Sequence, residues 1–129
     1  EFWEYVRGLL AARYEKIDSI PVVINGDEAS WIREGAQAFK NGFYQIDRFH
    51  ISRTITEALR GDKEHLREAQ KALAKDDMAR LLITVTEACQ KAKDPEARER
   101  LKQLRETLVD QHEYIRDYRQ RLREAGFKV

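Results

Sequence analysis

VVINGDEASWIREG, residues 22–35, followed closely by FYQIDRFHISRTI, residues 43–55, decides how the chain must fold. Val22-Val23-Ile24 is an unbroken β-branched run after Pro21, the pattern of a strand buried on both faces. It stops at Asn25-Gly26-Asp27. Ala29 to about Phe39 then carries Trp31, Ile32, Ala36 and Phe39 at helical spacing. Asn41-Gly42 is a turn signal, and Phe43-Tyr44-Gln45-Ile46 reads as a second short strand. Strand, helix, strand over so short a length is a βαβ unit, whose two strands must be parallel neighbours.

Outward from this unit the strand signals vanish. Before it, Phe2 to about Tyr14 reads as a helix with Phe2, Val6, Leu9 and Leu10 on one face, widened by Trp3 and Tyr5. After it, Ile51 to Arg60 reads as a helix ending near Gly61. Asp62 can cap the next, whose inner face is Leu66, Ala69 and Leu73. Met78, Leu81, Leu82, Val85, Ala88, Cys89 and Ala92 continue at helical spacing. Asp94-Pro95 is a start signal: an Asp cap, then proline in the first turn. Ala97, Leu101, Leu104, Leu108, Gln111, Ile115, Tyr118 and Leu122 form a heptad seam with one polar break, Gln111, predicting a single helix up to Ala125-Gly126. The expected fold is mostly α, a partial βαβ piece over residues 1–50 followed by an all-helical insertion or arm over 51–129. Two strands do not make an independent doubly wound sheet, so the chain reads as an internal fragment of a longer protein.

Composition narrows the function classes. The chain has 129 residues, 36% charged and 42% hydrophobic, with a formal net charge of +1. No stretch approaches the roughly 20 apolar residues of a membrane span, and the N-terminus lacks a signal-peptide pattern. The expected location is the bacterial cytoplasm, with no membrane partner. One cysteine, Cys89, excludes an internal disulfide and fits an inert core thiol. His50, His65 and His112 stand too far apart in sequence for a zinc motif.

The chemistry-bearing residues cluster at the strand ends. Asp27 follows the first strand and Asp47 the second. Ligands of open α/β sheets bind at that carboxyl edge, and paired carboxylates suit a hard divalent cation. Spacing alone favours the plainer reading of Asp27, a helix N-cap. Asp47 equally suits the start of the next helix, and His50 a helix-start histidine bonded to backbone. Trp31 fits core packing better than base stacking. A dinucleotide site is disfavoured because Asn25-Gly26-Asp27-Glu28-Ala29 has one glycine where G-x-G-x-x-G is needed.

Taken together, Gly26-Asp27-Glu28-Ala29-Ser30-Trp31-Ile32 and Ile46-Asp47-Arg48-Phe49-His50 resemble the paired motifs of bacterial insertion-sequence DDE transposases of the Lre-type, related to the Mutator-like and ISL-type transposases. Residues 20–53 carry the likeness, and Glu28 departs from it, standing where the family has glycine. The resemblance implies an RNase H-like catalytic core with three metal-binding acids. Asp27 aligns with the second of them, as catalytic residue and metal ligand. Asp47 and His50 align with a supporting or phosphate-orienting signature. The first Asp and the Glu fall outside this chain, so it is expected to be inactive alone. The implied cofactor is Mg²⁺ or Mn²⁺ in the full-length parent, with none expected firmly bound here. The implied partner is DNA at transposon ends, with a homo-oligomer as the expected assembly.

Candidate DNA contacts are Arg48, Arg53, Arg98, Arg105, Arg116 and Arg119. Glu96, Glu99, Glu106, Glu113 and Asp117 are interleaved with the later ones, as on a solvated helix face. The alternative function is a non-enzymatic helical interaction or DNA-binding module working through the heptad seam.

Overall fold

A computed structural model describes residues 2–26 and 30–128, with backbone alone at residues 30, 31 and 33. Its elements run α1 (Phe2–Arg13), β1 (Val22–Gly26), α2 (Ser30–Gly35), β2 (Gly42–Ile46), α3 (Arg48–Ala58), α4 (Lys63–Ala74), α5 (Met78–Lys91), α6 (Pro95–Ile115) and α7 (Tyr118–Glu124). The molecule is mostly helical with a small parallel sheet, as the sequence predicts. Two compact units form. One joins Glu1–Asp47 to Asp117–Val129, and the other is Arg48–Arg116.

In the first unit, β1 and β2 pair in parallel with Val22 beside Gly42 and Gly26 beside Ile46. The pairing extends one residue further, because the Asp47 N–H donates to the Gly26 carbonyl at 2.7 Å. The strands are not alike. Tyr44, Gln45 and Ile46 are buried, whereas β1 is only half-buried, with Asn25 exposed. The expectation that β1 is buried on both faces is therefore not met among the described residues.

Two glycines explain themselves by close approach. A Cβ on Gly42 would meet the Ala36 carbonyl oxygen at 1.9 Å, and one on Gly26 would meet the Ile32 side chain at 2.7 Å. Gly42 thus lets the chain turn tightly from the short 3₁₀ turn Ala36–Ala38 into β2. Gly26 lets Ile32 of α2 settle over the strand end.

The predicted long C-terminal helix is broken. α6 ends at Ile115, and Asp117 starts α7 by accepting the Arg119 N–H at 3.0 Å. An Asp side chain competes with the helix for nearby N–H groups, and the heptad pattern conceals this local signal. α7 stays within the first unit. An Arg121 N–H donates to the Tyr44 carbonyl. The Phe43 and Phe127 rings meet edge-on at 6.2 Å.

In the second unit, α3, α4, α5 and α6 neighbour one another in a ring: α3 with α4, α4 with α5, α5 with α6, and α6 with α3. That is a four-helix bundle. Ile51, Ile55, Ala58, Leu59, Ala69, Ala72, Leu73, Leu81, Val85, Ala88, Leu101, Leu104, Leu108 and Ile115 are buried apolar residues of the bundle. Short connections set it up. Asp62 caps α4, Asp77 caps α5 and Asp94 caps α6, each accepting a backbone N–H three residues on. Asp76 adopts φ 57°, and its N–H and that of Asp77 return to Leu73 and Ala72, closing α4 in a Schellman turn. Of the heptad seam, Leu101, Leu104, Leu108, Gln111 and Ile115 are buried in this bundle, whereas Tyr118, on α7 of the first unit, is exposed.

Candidate functional site

Build the site from the strand ends. A parallel pair that stops level presents both succeeding residues at one carboxyl edge, where α/β sheets take ligands. Gly26 and Ile46 stop level. Asp47, half-buried, follows Ile46 directly. Asp27 and Glu28 lie outside the described residues, as does the side chain of Trp31. The choice between cap and ligand at Asp27 therefore falls outside the described geometry. Among the described residues no group of three or more His, Cys, Asp or Glu is gathered closely enough to hold a metal ion. Asp47 is a single carboxylate, and one carboxylate does not hold a metal pair. The described residues do not by themselves fit the implied cofactor.

The residues after Asp47 belong to the second unit. Arg48 opens α3, and its guanidinium reaches the α4 terminus: it donates to the Leu73 carbonyl at 2.6 Å and to Asp76 at 2.5 Å. Arg48 therefore ties down the left-handed turn that ends α4. Phe49 is exposed, with the Arg53 guanidinium 6.0 Å from its ring centre. His50 is half-buried in the first turn of α3, and its carbonyl accepts from the Thr54 hydroxyl.

The other arginines expected to meet DNA are also engaged within their own units. Arg98 donates twice to the Ala92 carbonyl, at 2.7 and 3.1 Å, closing the α5–α6 turn. Arg105 donates to the Thr86 hydroxyl at 3.0 Å. Arg116 pairs with Glu113 at 3.1 Å. Arg119 pairs with Asp117 at 2.7 Å, a hydrogen bond that raises the guanidinium pKa. Arg105 and Arg119 are exposed.

One polar cluster was not singled out by spacing. His65 is buried, with Nδ1 2.6 Å from Asp62 and Nε2 3.7 Å from Glu87. Burial alone would raise the Asp62 pKa. The His65 backbone and ring N–H groups, the His65 charge and Lys91 together outweigh that and hold it below the ordinary carboxylate value. The legible signal was Asp62 three residues before a histidine, where one carboxylate serves both as cap and as ring partner.

The fold so far is a parallel βαβ piece and a four-helix bundle in one chain. The chain belongs to the uncharacterised protein family UPF0236, whose model matches residues 1–129. Similar proteins occur in Caldanaerobacter subterraneus subsp. tengcongensis. One UPF0236 protein is 21% identical over 118 residues, 92% of this chain and 25% of its own length. Another is 20% identical over 118 residues, 92% of this chain and 26% of its own length. The name of a third joins eleven loci of that one bacterium. The chain spans about a quarter of the length of these curated relatives. No solved structure matches it significantly. No described helix is long and apolar enough to cross a membrane.

Proposed function

We propose that the chain is part of a DNA transposase, an enzyme that cuts phosphodiesters and joins the ends to new DNA, and that it is inactive alone. The observation carrying this reading is the level parallel pair: the two motif strands end side by side at Gly26 and Ile46, the positions that precede Asp27 and Asp47 in the sequence. Asp27 is the proposed metal-binding acid, with Asp47 and His50 in support. Two further facts are in keeping with it. A family name that joins eleven loci of one genome is what a mobile element leaves behind. Relatives about four times longer leave room for the two further acids that this reading requires. The expected cofactor of the parent is Mg²⁺ or Mn²⁺, since hard divalent cations take carboxylate oxygens, and the expected partner is DNA at the element's ends.

The test is Asp27→Ala in the full-length protein, in a cell-based assay of element movement. Loss of movement with unchanged protein level is expected. Movement at the normal frequency would overturn the reading. The non-enzymatic alternative is pairing through the heptad seam, of which Leu101, Leu104, Leu108, Gln111 and Ile115 are buried in the bundle.

A further inference from the structure

At one end of the bundle the α3–α4 turn and the α5–α6 turn enclose a cleft of about 490 Å³. Its floor is apolar, from Leu59, Ala88 and Leu101. Around it stand four cations, Arg60, Lys91, Lys93 and Arg100. Two neighbouring acids are already committed: Asp62 to His65, and Asp94 to the Ala97 N–H. Glu96 is the third acid on the wall. The cations are not committed. None of the four makes a hydrogen bond or ion pair among the described residues, although Lys91 favours the Asp62 carboxylate at longer range.

Arg100 supplies the second, independent observation. Its Nε is buried and has no acceptor among the described residues. A buried donor normally finds a partner, and Arg100 lines the cleft. The only chemistry that meets an unpaired guanidinium and two or three ammonium or guanidinium groups at once is an oxyanion with several acceptor oxygens. The volume falls in the range of small-molecule sites, well above a single bare ion.

We propose that this cleft binds a phosphate group, with Arg60, Lys91, Lys93 and Arg100 neutralising its charge. The phosphate belongs either to a free phosphorylated small molecule or to a nucleic-acid backbone, and the chemistry of recognition is the same. The proposal goes beyond the transposase reading and does not rest on it, since it involves no carboxylate of the sheet edge.

The test is a two-dimensional NMR titration of the 129-residue chain with inorganic phosphate, with pyrophosphate, and with a short DNA duplex, at fixed ionic strength. Saturable shifts at the Gly61, Lys93 and Ala97 amides are expected with at least one of the three. Lys93→Ala and Arg100→Met should each weaken binding about tenfold, roughly the effect of losing one charge-assisted hydrogen bond. Lys102→Ala, on α6 outside the cleft, should leave it unchanged. Should Arg100→Met fail to fold, Lys93→Ala and Lys91→Ala at exposed positions carry the comparison. Pyrophosphate binding at least as tightly as the duplex identifies a small-molecule site. Tighter duplex binding, with a salt slope reduced by about 0.9 for each cation removed, identifies a backbone phosphate. No saturable shift with any ligand, or equal weakening by Lys102→Ala, overturns the proposal.

Discussion

Gly42 shows how far one residue constrains the first unit. Its missing Cβ admits the Ala36 carbonyl at a distance no side chain would tolerate. Gly42→Ala should lower stability by about 3 kcal/mol, the upper part of the usual overpacking range, read from urea unfolding. Gly8 is the control. It lies inside α1 with open space around it, so Gly8→Ala should stabilise by about 0.5–1 kcal/mol through helix propensity. Asp62 carries a pH dependence. Its folded pKa is depressed, so its contribution is present above the unfolded value of about 3.9 and is lost as pH falls through the lower folded value. Asp62→Asn keeps a capping oxygen but removes the charge beside His65. Thermal melts between pH 5 and pH 2 should show a flatter acid limb in Asp62→Asn than in the parent chain. An equally steep limb would place the acid sensitivity elsewhere.

At the scale of elements, Arg48 changes meaning. In the sequence it stands within Asp47-Arg48-Phe49-His50, where the transposase resemblance makes it a candidate DNA contact. In the fold it fastens the start of α3 to the end of α4, through the Leu73 carbonyl and Asp76. Arg48→Ala should therefore destabilise the bundle by about 1.5–3 kcal/mol, the usual value of a hydrogen bond to a charged group, with no DNA present. Unchanged thermal stability would remove the structural role. The division of the last helix belongs at this scale too. A run of leucines four and three apart predicts continuity. A single Asp117, accepting from Arg119, is enough to start a new helix and to return it to the sheet.

At the scale of the whole molecule, the heptad seam distinguishes folding from assembly. Leu101, Leu104, Leu108 and Ile115 are buried against α3 and α5 of the same chain. Leu104→Ala should cost about 2–5 kcal/mol, as a core leucine truncation does, and its effect on the melting midpoint should not depend on protein concentration. A midpoint rising steeply with concentration would return the seam to an intermolecular role. In the first unit the reverse holds. α1 buries no side chain fully and leaves Phe2, Tyr5 and Leu9 exposed, while β1 is half-open. Apolar faces of this kind are normally covered. Their exposure matches a chain that spans about a quarter of its relatives' length.

The sequence by itself determined the parallel βαβ unit, the helix starts at Asp62 and Asp94, and the apolar seam of α6. These follow from local chemistry: side-chain period, β-branched runs and capping residues act over a few positions. Asp27 and Asp47, which follow the two strands, are a reading of the sequence, and Asp27 lies outside the described residues. Only the tertiary structure decided that α6 ends at Ile115, that Arg48 serves α4, and that Arg60, Lys91, Lys93 and Arg100 share one cleft. Arg60 and Arg100 stand forty residues apart in the chain. Bundle packing, not spacing, brings their charges to one place, and no periodicity in a sequence records which turns will meet.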